Sequence, residues 1–119
     1  MNTLDFANGL AASWLAAWNA HDLSGILAHY TDDFEMTSPY IVQLTGEPTG
    51  TLRGKAVAGA YWQKALEKFP DLHFEPLHVL RSPGSVALVY RSNRSGLAAE
   101  VFSVNGEGRI FKAVAHYMA

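Results

Sequence analysis

The first forty residues carry a helical hydrophobic pattern. Over residues 3 to 20, apolar side chains recur every three or four positions, which predicts a helix with one buried face made of Ala7, Leu10, Ala11, Trp14, Leu15 and Trp18. Asn2 or Thr3 is suited to cap its start. Asp22 then predicts a short second helix, whose buried side carries Leu23, Ile26, Leu27 and Tyr30.

A strand, a long connection and a third helix are predicted next. The run Thr31-Asp32-Asp33 is interpreted as a polar turn. Phe34, Met36 and Ser38 then alternate with polar residues, as in a strand that is buried on one face, and Pro39 ends the pairing. Residues 40–53 predict a long loop, with a short strand over 40–44 as a further element, and such loops often act as lids. A helix is predicted over residues 55–69.

The second half of the chain alternates with a period of two. Strands are predicted over residues 72–81, 86–93, 98–104 and 109–117, with a hairpin turn at Asn105-Gly106. Helices first and a meander of strands afterwards predict an α+β fold, in which helices pack on one face of a mainly antiparallel sheet. At 119 residues, the whole of 1–119 is predicted to form one domain.

Composition removes several classes of function. The nine lysines and arginines are scattered and the net charge is −2, so no nucleic-acid partner is expected. No apolar run is long enough for a membrane span and no signal peptide is evident, so we expect no membrane partner and a cytoplasmic location. The chain lacks cysteine, the histidines form no known ligand motif, and no glycine-rich phosphate loop occurs. Neither a metal nor a cofactor is therefore expected.

Four sequence segments in this order resemble the nuclear transport factor two-like superfamily. They are AAWNAHDLSGI at residues 16–26, DDF at 32–34, RGKAV at 53–57 and VFSVNGEGRI at 101–110. Within the superfamily, the chain looks like the SnoaL-like and ketosteroid-isomerase-like members. The resemblance implies three N-terminal helices on a curved sheet, which form a cone around an apolar pocket, often in a homodimer.

The resemblance also implies positions for a site. Steroid isomerases of this superfamily use a tyrosine and a protonated aspartic acid as donors and an aspartate as the base. These three positions fall on Trp14, Glu100 and Ser38. Because a serine cannot shuttle a proton as an aspartate does, steroid isomerisation itself is not expected. Trp14 stays a candidate donor, with either a ligand oxygen or a nearby hydroxyl as its partner.

Glu100 is the main candidate for acid/base chemistry. It is a lone carboxyl group on a strand face that also carries Phe102 and Val104, so burial should raise its pKa. A plainer interpretation has the side chain reach solvent or pair with an arginine. The remaining candidate ligand-binding residues are those that the resemblance places on the cavity side: Trp18, Tyr30, Ser38, Tyr61, Leu88, Tyr90, Phe102, Ala115 and Tyr117. Core packing is the alternative for the aromatic residues, and a simple turn is the alternative for Ser38.

Three functions fit these observations. The first is a cofactor-independent acid/base enzyme (isomerase, cyclase, dehydratase or hydrolase) that acts on an apolar, oxygenated small molecule through Glu100. The second is a protein that binds a hydrophobic ligand without catalysis. The third is a homodimeric accessory domain whose cavity is filled by its own side chains and whose convex sheet is the functional surface. His116 is predicted to lie on that convex side.

Overall fold

The computed structural model describes residues 3–118. Helices and strands are segregated along the chain as predicted, and the α+β class is confirmed. The elements are α1 (Leu4–Asn19), α2 (Leu23–Leu27), β1 (Tyr30–Thr37), α3 (Pro39–Thr45), β2 (Thr51–Arg53), α4 (Lys55–Lys68), β3 (Phe74–Ser82), β4 (Ser85–Ser92), β5 (Gly96–Val104) and β6 (Ile110–Tyr117).

One curved, unclosed sheet holds all six strands in the order β2-β1-β6-β5-β4-β3. Neighbouring strands are antiparallel, except that β1 runs parallel to β6. The long helix α1 packs against β3, and α4 packs against β1 and α2. The helices and the concave face of the sheet enclose the hydrophobic core, which gives the cone shape that the resemblance implied.

Helix α1 follows its predicted pattern closely. All six apolar residues of its predicted face are buried. The Thr3 hydroxyl caps the helix by accepting from the Phe6 N–H at 3.1 Å, while the alternative cap, Asn2, lies outside the described residues. At the other end, the Asn19 side chain donates to the Phe74 carbonyl at 2.9 Å and accepts from the Phe74 N–H at 2.8 Å. This double hydrogen bond fixes the start of β3 against the end of α1.

The prediction for residues 40–53 is wrong in part, because Pro39–Thr45 is a helix rather than loop or strand. The Ser38 hydroxyl accepts from the Tyr40 N–H at 3.2 Å, and proline occupies the first turn, where its missing N–H costs nothing. Gly46 ends the helix in the left-handed conformation, with φ of 77°. Ser38-Pro39 therefore stops one element and starts the next, and the short strand β2 completes the connection.

The predicted turn at Thr31-Asp32-Asp33 is also wrong, since these residues lie within β1, which begins at Tyr30. The pairing of β1 with β6 shifts register between Tyr30 and Glu35, so this stretch is an irregular part of the strand. The irregular pairing lets the side chains of Asp32 and Asp33 reach solvent. That explains why the residues look like a turn in the sequence.

Candidate functional site

A cavity of about 440 Å³ lies between the helices and the concave face of the sheet. Its volume is within the range of small-molecule sites. Nine of its nineteen lining residues are aromatic: Trp14, Trp18, Tyr40, Tyr61, Trp62, Phe69, Phe74, Tyr90 and Tyr117. Because these rings leave the cavity open, the hypothesis of a cavity closed by its own side chains has no support in the structure.

Glu100 lies in the wall that the sheet contributes. It is paired in register with Leu88 on β4 and Ala115 on β6, and its side chain is only 3% exposed. Burial raises the pKa of this carboxyl group from 4.5 to about 8. Oε2 has no hydrogen-bond partner within residues 3–118, and no arginine pairs with the group there. The carboxyl group is therefore mostly protonated and neutral at pH 7.

Three tyrosines surround Glu100 closely enough to respond to its charge. Burial raises the pKa of Tyr30 and Tyr90 well above the ordinary value, and the neighbouring Glu100 carboxyl group raises both further. The pKa of Tyr117 is raised for the same two reasons, while the Ser38 hydroxyl acts in the opposite direction. All three phenols are therefore protonated at neutral pH and can take part in hydrogen bonds.

Trp14 does not offer its indole N–H to the cavity. Its Nε1–H donates to the Tyr30 hydroxyl at 2.9 Å, and the ring packs nearly parallel to Phe74 with centroids 5.8 Å apart. Of the two partners considered from the sequence, the nearby hydroxyl is the one found. Trp14 therefore supports the cavity wall, and its N–H is not available as the ligand donor that the resemblance implied.

Trp18 differs from Trp14 in this respect. It lies one turn further along α1 and also lines the cavity, where its ring meets Trp62 edge-on with centroids 5.5 Å apart. Its Nε1 is buried and has no hydrogen-bond partner among the described residues. The structure therefore leaves one indole donor of α1 satisfied and the other unsatisfied.

The other predicted site residues divide into two groups. Ser38, Tyr61, Tyr90 and Tyr117 line the cavity, and burial raises the pKa of Tyr61 to about 12. The lining does not include Tyr30, Leu88, Phe102 and Ala115, which are buried in the core behind it. Strand alternation correctly places Leu88, Phe102 and Ala115 on the concave face of the sheet, but they do not line the cavity. Tyr30, which was expected on the buried side of the second helix, instead begins β1.

Helix α3 and the cavity rim hold residues that the sequence analysis missed. Tyr40, Gln43 and Leu44 line the cavity from α3, and the helical signal of Ser38-Pro39 would have placed them there. At the rim, the Arg94 guanidinium pairs with the Asp71 carboxylate and lies 4.8 Å from the centroid of the Phe69 ring. The hydrogen bond from Arg94 holds the pKa of Asp71 below its ordinary value.

Two other kinds of site are absent from the described part of the chain. Residues 3–118 hold no group of three or more histidine or acidic side chains that could bind a metal ion. They also contain no helix that is long and apolar enough to cross a membrane. His116 is exposed on the side of the sheet away from the cavity, where it is paired in register with Ala99.

Comparison with known proteins places the chain in a family. The model of the SnoaL-like domain matches residues 11–118. The chain belongs to the SnoaL-like family. Its resemblance to the nuclear transport factor two-like superfamily is thereby confirmed. No functionally curated protein matches the chain.

Solved structures of SnoaL-like proteins agree with this assignment. A SnoaL-like protein of unknown function from Burkholderia thailandensis is 52% identical, with 98% of each chain covered and a TM-score of 0.96. A putative isomerase of the SnoaL-like family from Agrobacterium tumefaciens is 19% identical over 98% of this chain and 100% of its own, with a TM-score of 0.76.

A third similar structure is an epoxide hydrolase/cyclase-like enzyme with a role in pyran ring formation in the polyether salinomycin. It is 18% identical, covers 98% of this chain and 94% of its own, and has a TM-score of 0.79. At such low identity, this match and the one to the isomerase show a shared fold only.

Proposed function

We propose that this SnoaL-like protein is a cofactor-independent enzyme in which Glu100 acts as a general acid on an oxygen atom of an apolar small molecule. The observation that carries the proposal is the state of Glu100: a buried carboxyl group with an unpartnered oxygen, in the wall of an aromatic cavity. Such a group keeps its proton at neutral pH and donates it to an oxygen that gains negative charge in the reaction.

The surroundings of Glu100 favour reactions that start at an oxygen. Protonation or strong hydrogen bonding of a carbonyl, hydroxyl or ether oxygen promotes cyclisation, dehydration, isomerisation or hydrolysis. The names of structurally similar proteins include an isomerase and a hydrolase/cyclase-like enzyme, which is consistent with this range. Steroid isomerisation is disfavoured, because Ser38 stands at the position of the base and its hydroxyl caps α3.

A general acid must also recover its proton. Once Glu100 has lost the proton, its carboxylate is a base with a pKa of about 8 and can take a proton back from the substrate or from water. Tyr90 and Tyr117 can assist as hydrogen-bond donors, because their hydroxyl groups stay protonated. Trp14 has no direct part in this scheme, because its N–H is bound to Tyr30.

Non-catalytic ligand binding is the second candidate. It is favoured by one observation: among the described residues that line the cavity, Glu100 is the one carboxylic acid, and no histidine accompanies it. A protein that only sequesters a ligand needs no partner base, and the same carboxyl group would then serve as a hydrogen-bond donor.

Hydrogen–deuterium exchange on a simple ketone separates the two candidates. 1-Tetralone is a bicyclic ketone, and the exchange of its hydrogens next to the carbonyl in D₂O, followed by NMR, reports acid-assisted enolisation. In this step Glu100 gives its proton to the carbonyl oxygen, and a solvent water molecule takes the hydrogen from the neighbouring carbon. We expect the protein to accelerate the exchange, and Glu100→Gln to reduce that acceleration by a factor of about 10² to 10⁴ while tetralone still binds.

The matched control is Glu75→Gln, the same change at an exposed carboxylate on β3. It should exchange tetralone as fast as the unmodified protein. The rate should also fall as the pH rises through about 8, since Glu100 loses its proton there. If Glu100→Gln binds tetralone and exchanges it at the original rate, the enzyme proposal is wrong and the binding protein remains.

A further inference from the structure

Two buried side-chain atoms of residues 3–118 lack a hydrogen-bond partner, and both belong to residues that line the cavity. They are Oε2 of Glu100 and Nε1 of Trp18. Leaving a buried polar group unsatisfied costs about 1–3 kcal/mol, so folded proteins retain few of them. When the two exceptions line the same cavity, an occupant of that cavity is the natural partner for both.

We propose that Trp18 is a second ligand-binding donor, and that the ligand of this cavity is a flat bicyclic or larger ring system with two acceptor oxygens, one for Glu100 and one for Trp18. The indole N–H can only donate a hydrogen bond, so its partner on the ligand must be an acceptor. This inference rests on the same cavity as the proposed function and adds the substrate class.

Among the described residues, no atom accepts a hydrogen bond from the Trp18 N–H. Its ring packs against Phe74 and Trp62, with centroids 5.5 Å away in each case. Neither ring carries an oxygen, and the Phe74 carbonyl already accepts from the Asn19 side chain. Trp14 provides the internal contrast, because the same helix supplies its N–H with the Tyr30 hydroxyl at 2.9 Å.

The two donors also lie on different layers of the fold. Trp18 belongs to α1 and Glu100 to β5, so a ligand that binds both spans the cavity from the helices to the sheet. Nine of the nineteen residues that line the cavity are aromatic, and aromatic rings pack well against flat ring systems. A ligand with only one oxygen would fill the cavity but leave one donor buried and unpaired.

A series of substituted 1-tetralones tests the second oxygen. The 5-, 6- and 7-methoxy-1-tetralones each carry an ether oxygen at a different distance from the carbonyl, and the matching ethyl-1-tetralones replace that oxygen by a methylene of similar size. We expect at least one methoxy compound to bind about tenfold more tightly than its ethyl counterpart in calorimetric titrations. Trp18→Phe should abolish the preference, whereas the control Phe111→Leu, at an exposed ring outside the cavity lining, should keep it.

The indole N–H signals of the unmodified protein give a second readout that needs no variant. On binding the preferred methoxy compound, the Trp18 signal should move downfield as its proton gains an oxygen acceptor, while the Trp14 signal stays in place. Equal affinities within every pair, a preference that survives Trp18→Phe, or failure of all six compounds to bind would each overturn the inference. The inference would also be overturned if the Trp18 N–H signal lay upfield because of the Trp62 ring and stayed there when the methoxy compound was added.

These outcomes are separate from those for the proposed function. The methoxy preference and the N–H shift require binding but no turnover. If Glu100→Gln leaves the exchange rate unchanged while Trp18→Phe removes the preference, the protein is a binding protein with the donor pair inferred here. If Glu100→Gln slows the exchange but no methoxy compound is preferred over its ethyl counterpart, the acid chemistry of Glu100 is supported and the role of Trp18 as a donor is rejected.

Discussion

The stability of this protein should depend on pH through Glu100. The carboxyl group has a pKa of about 8 in the folded state and 4.5 as an ordinary glutamate. Because the folded state binds the proton more tightly, the contribution of Glu100 to stability is largest below about pH 4.5 and is lost as the pH rises to about 8. The full difference, about 3.5 pKa units at 1.36 kcal/mol each, is about 5 kcal/mol.

Replacement of Glu100 by glutamine isolates this effect. Glutamine has nearly the same shape and does not ionise, so Glu100→Gln removes the pH dependence of this site and leaves other titrations in place. Between pH 5 and pH 8, the free energy of unfolding of the variant should rise by about 3.5 kcal/mol relative to the original protein, and the difference should level off above pH 8.

Urea denaturation at one-unit steps from pH 5 to pH 9 measures this difference directly. Glu75→Gln serves as the control, because an exposed carboxylate should give a curve parallel to that of the unmodified protein. Parallel curves for Glu100→Gln as well would show that Glu100 ionises normally. The account of a neutral acid in the cavity would then be refuted.

Two further predictions concern the scaffold and the convex face. Asn19→Ala removes both hydrogen bonds to Phe74, so the free energy of unfolding should fall by about 1–3 kcal/mol in urea denaturation, and an unchanged value would show that β3 is held in place without them. We also expect a homodimer through the convex face, where Val101 is paired with Ala87 and Val114. Val101→Arg should shift sedimentation to the monomer, and a monomeric unmodified protein would contradict this.

Hydrophobic spacing predicted most of the fold because it reflects burial directly. Trp14 and Trp18 share the buried face of α1, and Tyr90 and Glu100 share the concave face of the sheet. These positions follow from the periods of a helix and a strand. Alternation along β5 placed Glu100 on one face with Phe102 and Val104, and the family resemblance implied that this face points toward the cavity.

The sequence could not predict which groups form hydrogen bonds with each other, or which residues of the concave face lie behind the cavity lining. The N–H of Trp14 could have met a ligand or a hydroxyl, and only the fold shows that Tyr30, sixteen residues away, accepts it. Leu88 and Phe102 lie on the correct face but behind other residues. Helix α3 was missed because Ser38-Pro39 was interpreted as the end of a strand, although the same pair begins a helix.

The double role of Ser38 makes a change of chemistry accessible in one substitution. Its hydroxyl caps α3 while the residue lines the cavity that contains Glu100. Aspartate is as good a helix cap as serine, so Ser38→Asp would keep the start of α3 and add a second carboxyl group to the cavity. The backbone would then hold two carboxyl groups in one cavity, so a single substitution could add the missing base without changing the course of the chain.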